Sequence, residues 1–150
     1  MKNVRHIKKG ELEDLLELYQ HLHQKDAPLP AKSELNSLWE NIFSNSLLHY
    51  FVVEDGENSK LVSSCTISII PNLTRGARPY GIIENVVTHE EFRKEGFGTA
   101  VLKFALKEAW KNNCYKVVLT TGRQDAEIIS FYEGAGFQKG IKTGYIAYKQ

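Results

Sequence analysis

The sequence predicts a mixed α/β fold, α+β in its pairing, built from one central sheet with helices packed on it. Three observations predict it. Apolar residues recur at helical spacing in the first third and again after residue 97. Between residues 50 and 88 they give way to β-branched-rich runs separated by turn residues. The last third alternates strand, helix, strand, helix and strand, which implies a parallel crossover beside an antiparallel middle. The predicted order is β-α-α-β-β-β-α-β-α-β.

Each element follows from its residues. Residues 3–6 alternate weakly and read as a short first strand. Residues 11–22 place Leu12, Leu15, Leu16, Tyr19 and Leu22 on one helical face, with Glu11, Glu13 and Asp14 at the favourable N-terminal end. Pro28 and Pro30 break that helix. Ser33 reads as the cap of a second helix over 34–43, with Leu35, Leu38, Trp39 and Ile42 together. Strands over 50–54 and 60–70 flank Asp55-Gly56-Glu57-Asn58-Ser59, a hairpin pattern. Residues 71–80 read as a loop and 81–88 as a strand. A helix from about residue 98 to 112, a strand over 115–121, a helix over 125–134 and a last strand over 141–148 complete the order.

The 150 residues suffice for one domain, residues 1–150, with a sizeable core. A formal net charge of +1 gives no field to recruit nucleic acid or an anionic membrane. The apolar runs are too short to span a bilayer, and the basic N-terminus lacks the apolar segment of a secretory signal. Cys65 and Cys114 stand far apart without metal or redox spacing and read as buried free thiols in a reducing compartment, the cytoplasm. No acidic partner stands near His21 and His23 at metal spacing, so no metal is expected.

The segment Arg93-Lys94-Glu95-Gly96-Phe97-Gly98-Thr99 at the mouth of the late helix carries the functional signal. A helix N-terminus offers free N–H groups and partial positive charge. Glycines let a phosphate approach that backbone, and an arginine adds a planar cation. The segment lacks the Gly-Lys-Ser/Thr of a P-loop and the third glycine of a dinucleotide fingerprint. A pyrophosphate-bearing cofactor is one reading; a tight strand-to-helix turn is the other.

Arg93-x-x-Gly96-x-Gly98 resembles the Q/R-x-x-G-x-G/A signature of the GCN5-related N-acetyltransferase (GNAT) superfamily. Residues 82–106, IIENVVTHEEFRKEGFGTAVLKFAL, resemble that family's central strand-to-helix motif, and SFYEGAGF at 130–137 its later Phe-Tyr motif. The resemblance covers nearly the whole chain, and it implies the GNAT-type mixed sheet. It implies acetyl-CoA as co-substrate and transfer of an acetyl group to a primary amine of a small molecule or peptide. A non-catalytic acyl-CoA sensor is the alternative.

Carried over by residue, the resemblance implies that Arg93, Lys94, Glu95, Gly96, Phe97, Gly98 and Thr99 wrap the pyrophosphate. Val86, Val87 and Thr88, on a strand splayed at a bulge, would pair with the pantetheine amides, and the Val86 N–H would polarise the thioester carbonyl. Tyr132 would protonate the departing thiolate; otherwise it is a core aromatic beside Phe131, and either ring can pack on the cofactor. Glu84 would receive the amine proton. Strand alternation would set Ile82, Glu84, Val86 and Thr88 on one face, and a salt bridge to an arginine is the other account of Glu84. Asp125 stands where the family often has Asn, so it accepts but cannot donate a hydrogen bond to the pantetheine arm. The resemblance also places the acceptor pocket among residues 21–32, 71–80 and 139–145, where Arg75 and Arg78 suit an anionic acceptor and Tyr80 and Tyr145 make walls. An exposed sheet edge points to a homodimer.

Overall fold

The computed structural model describes residues 2–150. Five strands form one sheet in the order β1-β2-β3-β4-β5. They are β1 (Val4–His6), β2 (Leu48–Glu54), β3 (Leu61–Ile70), β4 (Tyr80–Thr88) and β5 (Val117–Val118). β1 to β4 pair antiparallel, and β4 and β5 pair parallel through Gly81↔Val117 and Ile82↔Val118. The helices are α1 (Leu12–Tyr19), α2 (Lys32–Ser44), the single turn α3 (Thr74–Ala77), α4 (Phe97–Lys111) and α5 (Ala126–Gly134).

Two apolar layers cover the two faces of the sheet. On one, Val101, Leu102, Ala105 and Ala109 of α4 pack on Phe51, Cys65, Ile67, Ile69 and Ile83, with Phe131 and Tyr132 of α5 at the margin. On the other, Leu15 and Leu18 of α1 and Trp39 of α2 pack on Val52, Leu61 and Val87. Alternation along β2 explains the division, since Phe51 and Val53 face α4 while Val52 faces α1. Burying such side chains is worth roughly 1.5–3 kcal/mol each, which is what holds the helices to the sheet. Cys65 and Cys114 are free and buried, as the apolar setting of each thiol predicts.

The hairpin between β2 and β3 closes through Asp55, whose carboxylate accepts from the backbone N–H groups of Asn58 and Lys60 at 3.1 and 2.9 Å. These bonds, with the Asn58 amide, hold the carboxyl below the usual range. Three expectations fail at element scale. Ser33 lies inside α2, whose N-cap is Ala31. The strand expected over 115–121 pairs at only two residues. The last strand expected over 141–148 is absent: Ile141, Tyr145, Ile146 and Tyr148 are all exposed and sit outside the sheet. Their alternating apolar pattern is that of a strand, but within this chain it meets no partner edge.

Candidate active site

β4 delivers the chain to the glycine turn. Residues Glu90–Phe92 form a 3-10 turn capped by His89, whose Nδ1 accepts from the Glu91 N–H at 3.3 Å. Lys94 (φ 64°) and Gly96 (φ 82°) then take left-handed conformations, and α4 starts at Phe97. Gly96 is glycine because that φ is costly for other side chains. No side chain caps α4, so its first N–H groups stay free for an anion.

Gly98 is glycine for a different reason. A Cβ there would stand 3.0 Å from Cζ of Phe131 and 3.1 Å from Oγ1 of Thr88. What approaches closely is the protein itself: the glycine lets α5 and the end of β4 close on α4. Arg93 also holds the turn. Its Nε and Nη2 donate to the carbonyls of Thr88 and His21, each at 3.2 Å, tying the turn to the end of α1. Lys94 pairs with Glu127 at 3.4 Å across to α5, Glu95 is exposed, Thr99 is half-buried, and the Phe97 ring carries Lys2 Nζ 3.6 Å from its centroid.

Upstream, β4 is interrupted. Ser64 pairs with Val87 and Thr66 with Glu84, so Asn85 and Val86 together oppose Cys65 alone. This is a β-bulge, with Asn85 left-handed at φ 52°. It overturns the expected alternation. Glu84 shares the α1 face with Val87, while Val86 and Thr88 turn to the α4 face, where Val86 packs in the α4 layer and Thr88 meets Ser63 at 2.9 Å. The inserted residue rotates the rest of the strand by half a turn. It also takes the Asn85 and Val86 backbone out of the ladder, which frees N–H groups to bind something else.

Glu84 was expected inside apolar surroundings, and it is exposed. It makes no ion pair among the described residues, which removes the salt-bridge account. The same face of β3 presents Ser64, Thr66 and Ser68 beside it, and Thr66 Oγ1 donates to the Glu84 carbonyl at 3.1 Å.

α5 closes the far side. Its N-cap, Asp125, accepts from the Ile128 N–H at 3.1 Å and from Arg123 Nε and Nη2 at 2.9 and 3.0 Å. The Arg123 guanidinium, then the Ile128 N–H, hold this carboxyl below the usual range. Both oxygens are engaged, so the contact expected from Asp125 to a pantetheine arm competes with its cap. Tyr132 is half-buried, its ring 4.9 Å from Phe131 and 6.2 Å from Phe137. Burial pushes its phenol above the ordinary value; Arg123 opposes the rise, while Cys65 and Glu84 add to it. Tyr132 thus senses the Glu84 charge from the other side of the bulge.

The acceptor-side residues are less assembled. Arg75 and Arg78 lie over the Tyr115 ring at 6.0 and 5.8 Å, and Tyr80 meets the same ring at 6.4 Å. Tyr145, expected as a wall, is 92% exposed because the strand that would carry it is missing. Among the described residues no three His, Cys, Asp or Glu side chains gather as a metal site would need. The sequence does not single out Asn85, and it shows Tyr19 only as part of an apolar helix face, yet the two meet at the bulge. An Asn next to a Glu in a β-rich run was the only signal, since Asn tolerates the left-handed conformation.

Residues 12–137 match the Acetyltransferase (GNAT) family. The chain belongs to that family. The glucosamine 6-phosphate N-acetyltransferase of Trypanosoma brucei brucei is 29% identical over 140 residues, covering 90% of this chain and 88% of that protein. The enzyme of the same name from Schizosaccharomyces pombe is 27% identical over 95 residues, 63% of this chain and 83% of that one. A solved structure from Agrobacterium tumefaciens str. C58 is 42% identical, covers 98% of this chain and 99% of its own, and superposes with a TM-score of 0.88. This GNAT protein is an acetyl-CoA-dependent N-acetyltransferase with an amine acceptor. No helix among its described residues is long and apolar enough to cross a membrane.

Proposed function

We propose that the whole chain, residues 1–150, acts as one N-acetyltransferase domain that acetylates a small hydroxylated primary amine by direct attack on the thioester. The observation that carries this reading is the bulge at Asn85. It sets Glu84 on the α1 face and Val86 and Thr88 on the α4 face, and takes the backbone between them out of the ladder. In this reading the pyrophosphate lies on the turn from Arg93 to Thr99, with Val86, Val87 and Thr88 along the pantetheine arm and Phe131 and Asp125 beside it. Acetyl-CoA supplies an activated acyl carbon.

The chain's own groups do the rest. Glu84 takes the proton from the acceptor ammonium, directly or through one water, and leaves a free amine to form the C–N bond. The Val86 N–H steadies the charge that develops on the carbonyl oxygen. Tyr132, kept protonated by burial, gives its proton to sulfur as the C–S bond breaks. The second N–H proton, shed as the amide forms, restores the Tyr132 phenol directly or through water, and Glu84 passes its own proton to solvent.

Two observations support a hydroxylated acceptor. Ser64, Thr66 and Ser68 line the face that Glu84 shares, and the relatives named above act on glucosamine 6-phosphate. The exposed apolar residues of the C-terminal segment support a homodimer in which that segment finds a strand partner on a second copy. Two buried free thiols suit a reducing compartment, and we place the reaction in the cytoplasm.

Thermal unfolding with acetyl-CoA, CoA, ATP or NAD tests the cofactor first. Ligand at 100 times its dissociation constant stabilises by about 2.7 kcal/mol. A rise with both CoA species and little with ATP or NAD is expected. Release of CoA thiol with glucosamine 6-phosphate and an amine panel tests the reaction. Strong CoA binding without release for any amine would make the chain a sensor instead.

A further inference from the structure

The hydroxyl of Tyr19, the last residue of α1, is buried and has no hydrogen-bond partner. Its ring packs in the α1-side layer with Val52, Val87 and Tyr50. The side chain of Asn85 approaches the phenol from the bulge closely enough to influence it, but without the geometry of a closed hydrogen bond. Burial, with Tyr50 and Cys65 nearby, raises this phenol well above its ordinary value while the Asn85 amide pulls the other way, so the hydroxyl keeps its proton and is not satisfied in this geometry. Ser64 Oγ is a second buried hydroxyl without a partner on the same face. A buried polar atom left unpaired is costly, and phenylalanine would fill the same space without that cost. The neighbour is equally unusual. Asn85 holds φ 52° and separates Glu84 from Val86, the two groups the reaction needs in register.

We propose that Tyr19 is a positioning residue that braces the bulge: its hydroxyl bonds the Asn85 amide when ligands fill the site. The proposal rests on the acetyltransferase reading of the bulge. Tyr19 touches neither substrate nor thioester. It acts through Asn85, whose left-handed backbone aims the Val86 N–H at the carbonyl on one side and Glu84 at the amine on the other. Small misplacement of such groups costs rate more than binding.

The test compares wild type, Tyr19→Phe, Asn85→Gly and the double variant, where glycine keeps the left-handed φ and removes the amide. Tyr19→Phe is expected to lower kcat about five- to tenfold, the worth of one hydrogen bond. Acetyl-CoA affinity and melting temperature should hold or rise, because an unpaired hydroxyl has been removed. Asn85→Gly should lose as much, and the double variant no more than either. Deuterium exchange of the acetyl-CoA-bound protein supplies a readout that needs no turnover: the peptide spanning Asn85 and Val86 should exchange faster in Tyr19→Phe. Unchanged exchange, an unchanged kcat, or multiplicative losses in the double variant would overturn the brace. A wild type that releases no CoA would instead sink the reading on which it rests, while exchange still decides the brace.

Discussion

At the scale of single residues, side chains of one type have different jobs, and substitutions separate them. Gly96 answers to its φ, whereas Gly98 answers to Phe131 and Thr88. Gly98→Ala should destabilise by about 1–3 kcal/mol, because Phe131 has to move from a packed position. Denaturant midpoints at constant m-value would show it, and an unchanged midpoint would mean that the Phe131 ring moves freely. Tyr132→Phe should lower kcat by about a hundredfold while acetyl-CoA affinity holds; equal loss of both would make the phenol a packing group. Because burial raises this phenol, it keeps its proton as pH rises. The alkaline fall in kcat due to Tyr132 should therefore lie above pH 10, roughly the ordinary tyrosine value. Arg93→Glu should weaken acetyl-CoA binding by about tenfold or more. It should also lower the melting temperature without ligand, since two carbonyl tethers to Thr88 and His21 are lost.

At the scale of elements, the turn after β4 is sensitive to acid. His89 is held below its ordinary value by burial, then by His21 and Lys60, while Glu91 and Glu90 pull the other way. His49, half-buried beside His6, is depressed too, first by burial and then by His6. The sign follows directly. A histidine with a depressed folded value is neutral in the native state, so stability is full above the unfolded value of about 6.5. It falls as pH drops below that value, where the unfolded chain gains protons that the fold refuses. Melting temperatures should decline below about pH 6.5, and His89→Asn, which keeps a capping oxygen, should flatten the decline. An identical profile in that variant would assign the acid sensitivity to His49. Elements also show what the sequence makes legible. β2, β3, β4 and α4 were readable because period-2 and period-3.6 patterns are local. The bulge was not, because an inserted residue is visible only against its partner strand: Glu84 and Val86 look like neighbours on one face until Cys65 is seen to oppose two residues. The turn into α4 was readable from its glycines, yet the reason for Gly98 lay 33 residues away in Phe131.

At the scale of the whole molecule, the strand pattern of residues 141–148 was read correctly as chemistry and wrongly as position. Pattern shows that a segment suits a sheet, while the partner edge is a long-range fact. Ile141, Tyr145, Ile146 and Tyr148 remain exposed in one copy. Sedimentation at micromolar protein should therefore report a dimer, and Ile146→Asp should shift it toward monomer; a monomer in the wild type would refute the strand partnership. The bulge has its own consequence at this scale. One residue breaks the ladder between Glu84 and Val86, so the strand works like a spliced ribbon with a gap at the join. Removing the single codon for Asn85 would leave a chain of 149 residues whose every other amino acid is intact. Without the inserted residue, Val86 alone would oppose Cys65, and Val87 and Thr88 would keep their faces and their partners Ser64 and Ser63. The genetic lesion would be smaller than most loop deletions and the sheet would become more regular, yet the backbone N–H groups that the bulge frees would return to the ladder, and the proposed hold on the thioester would go with them.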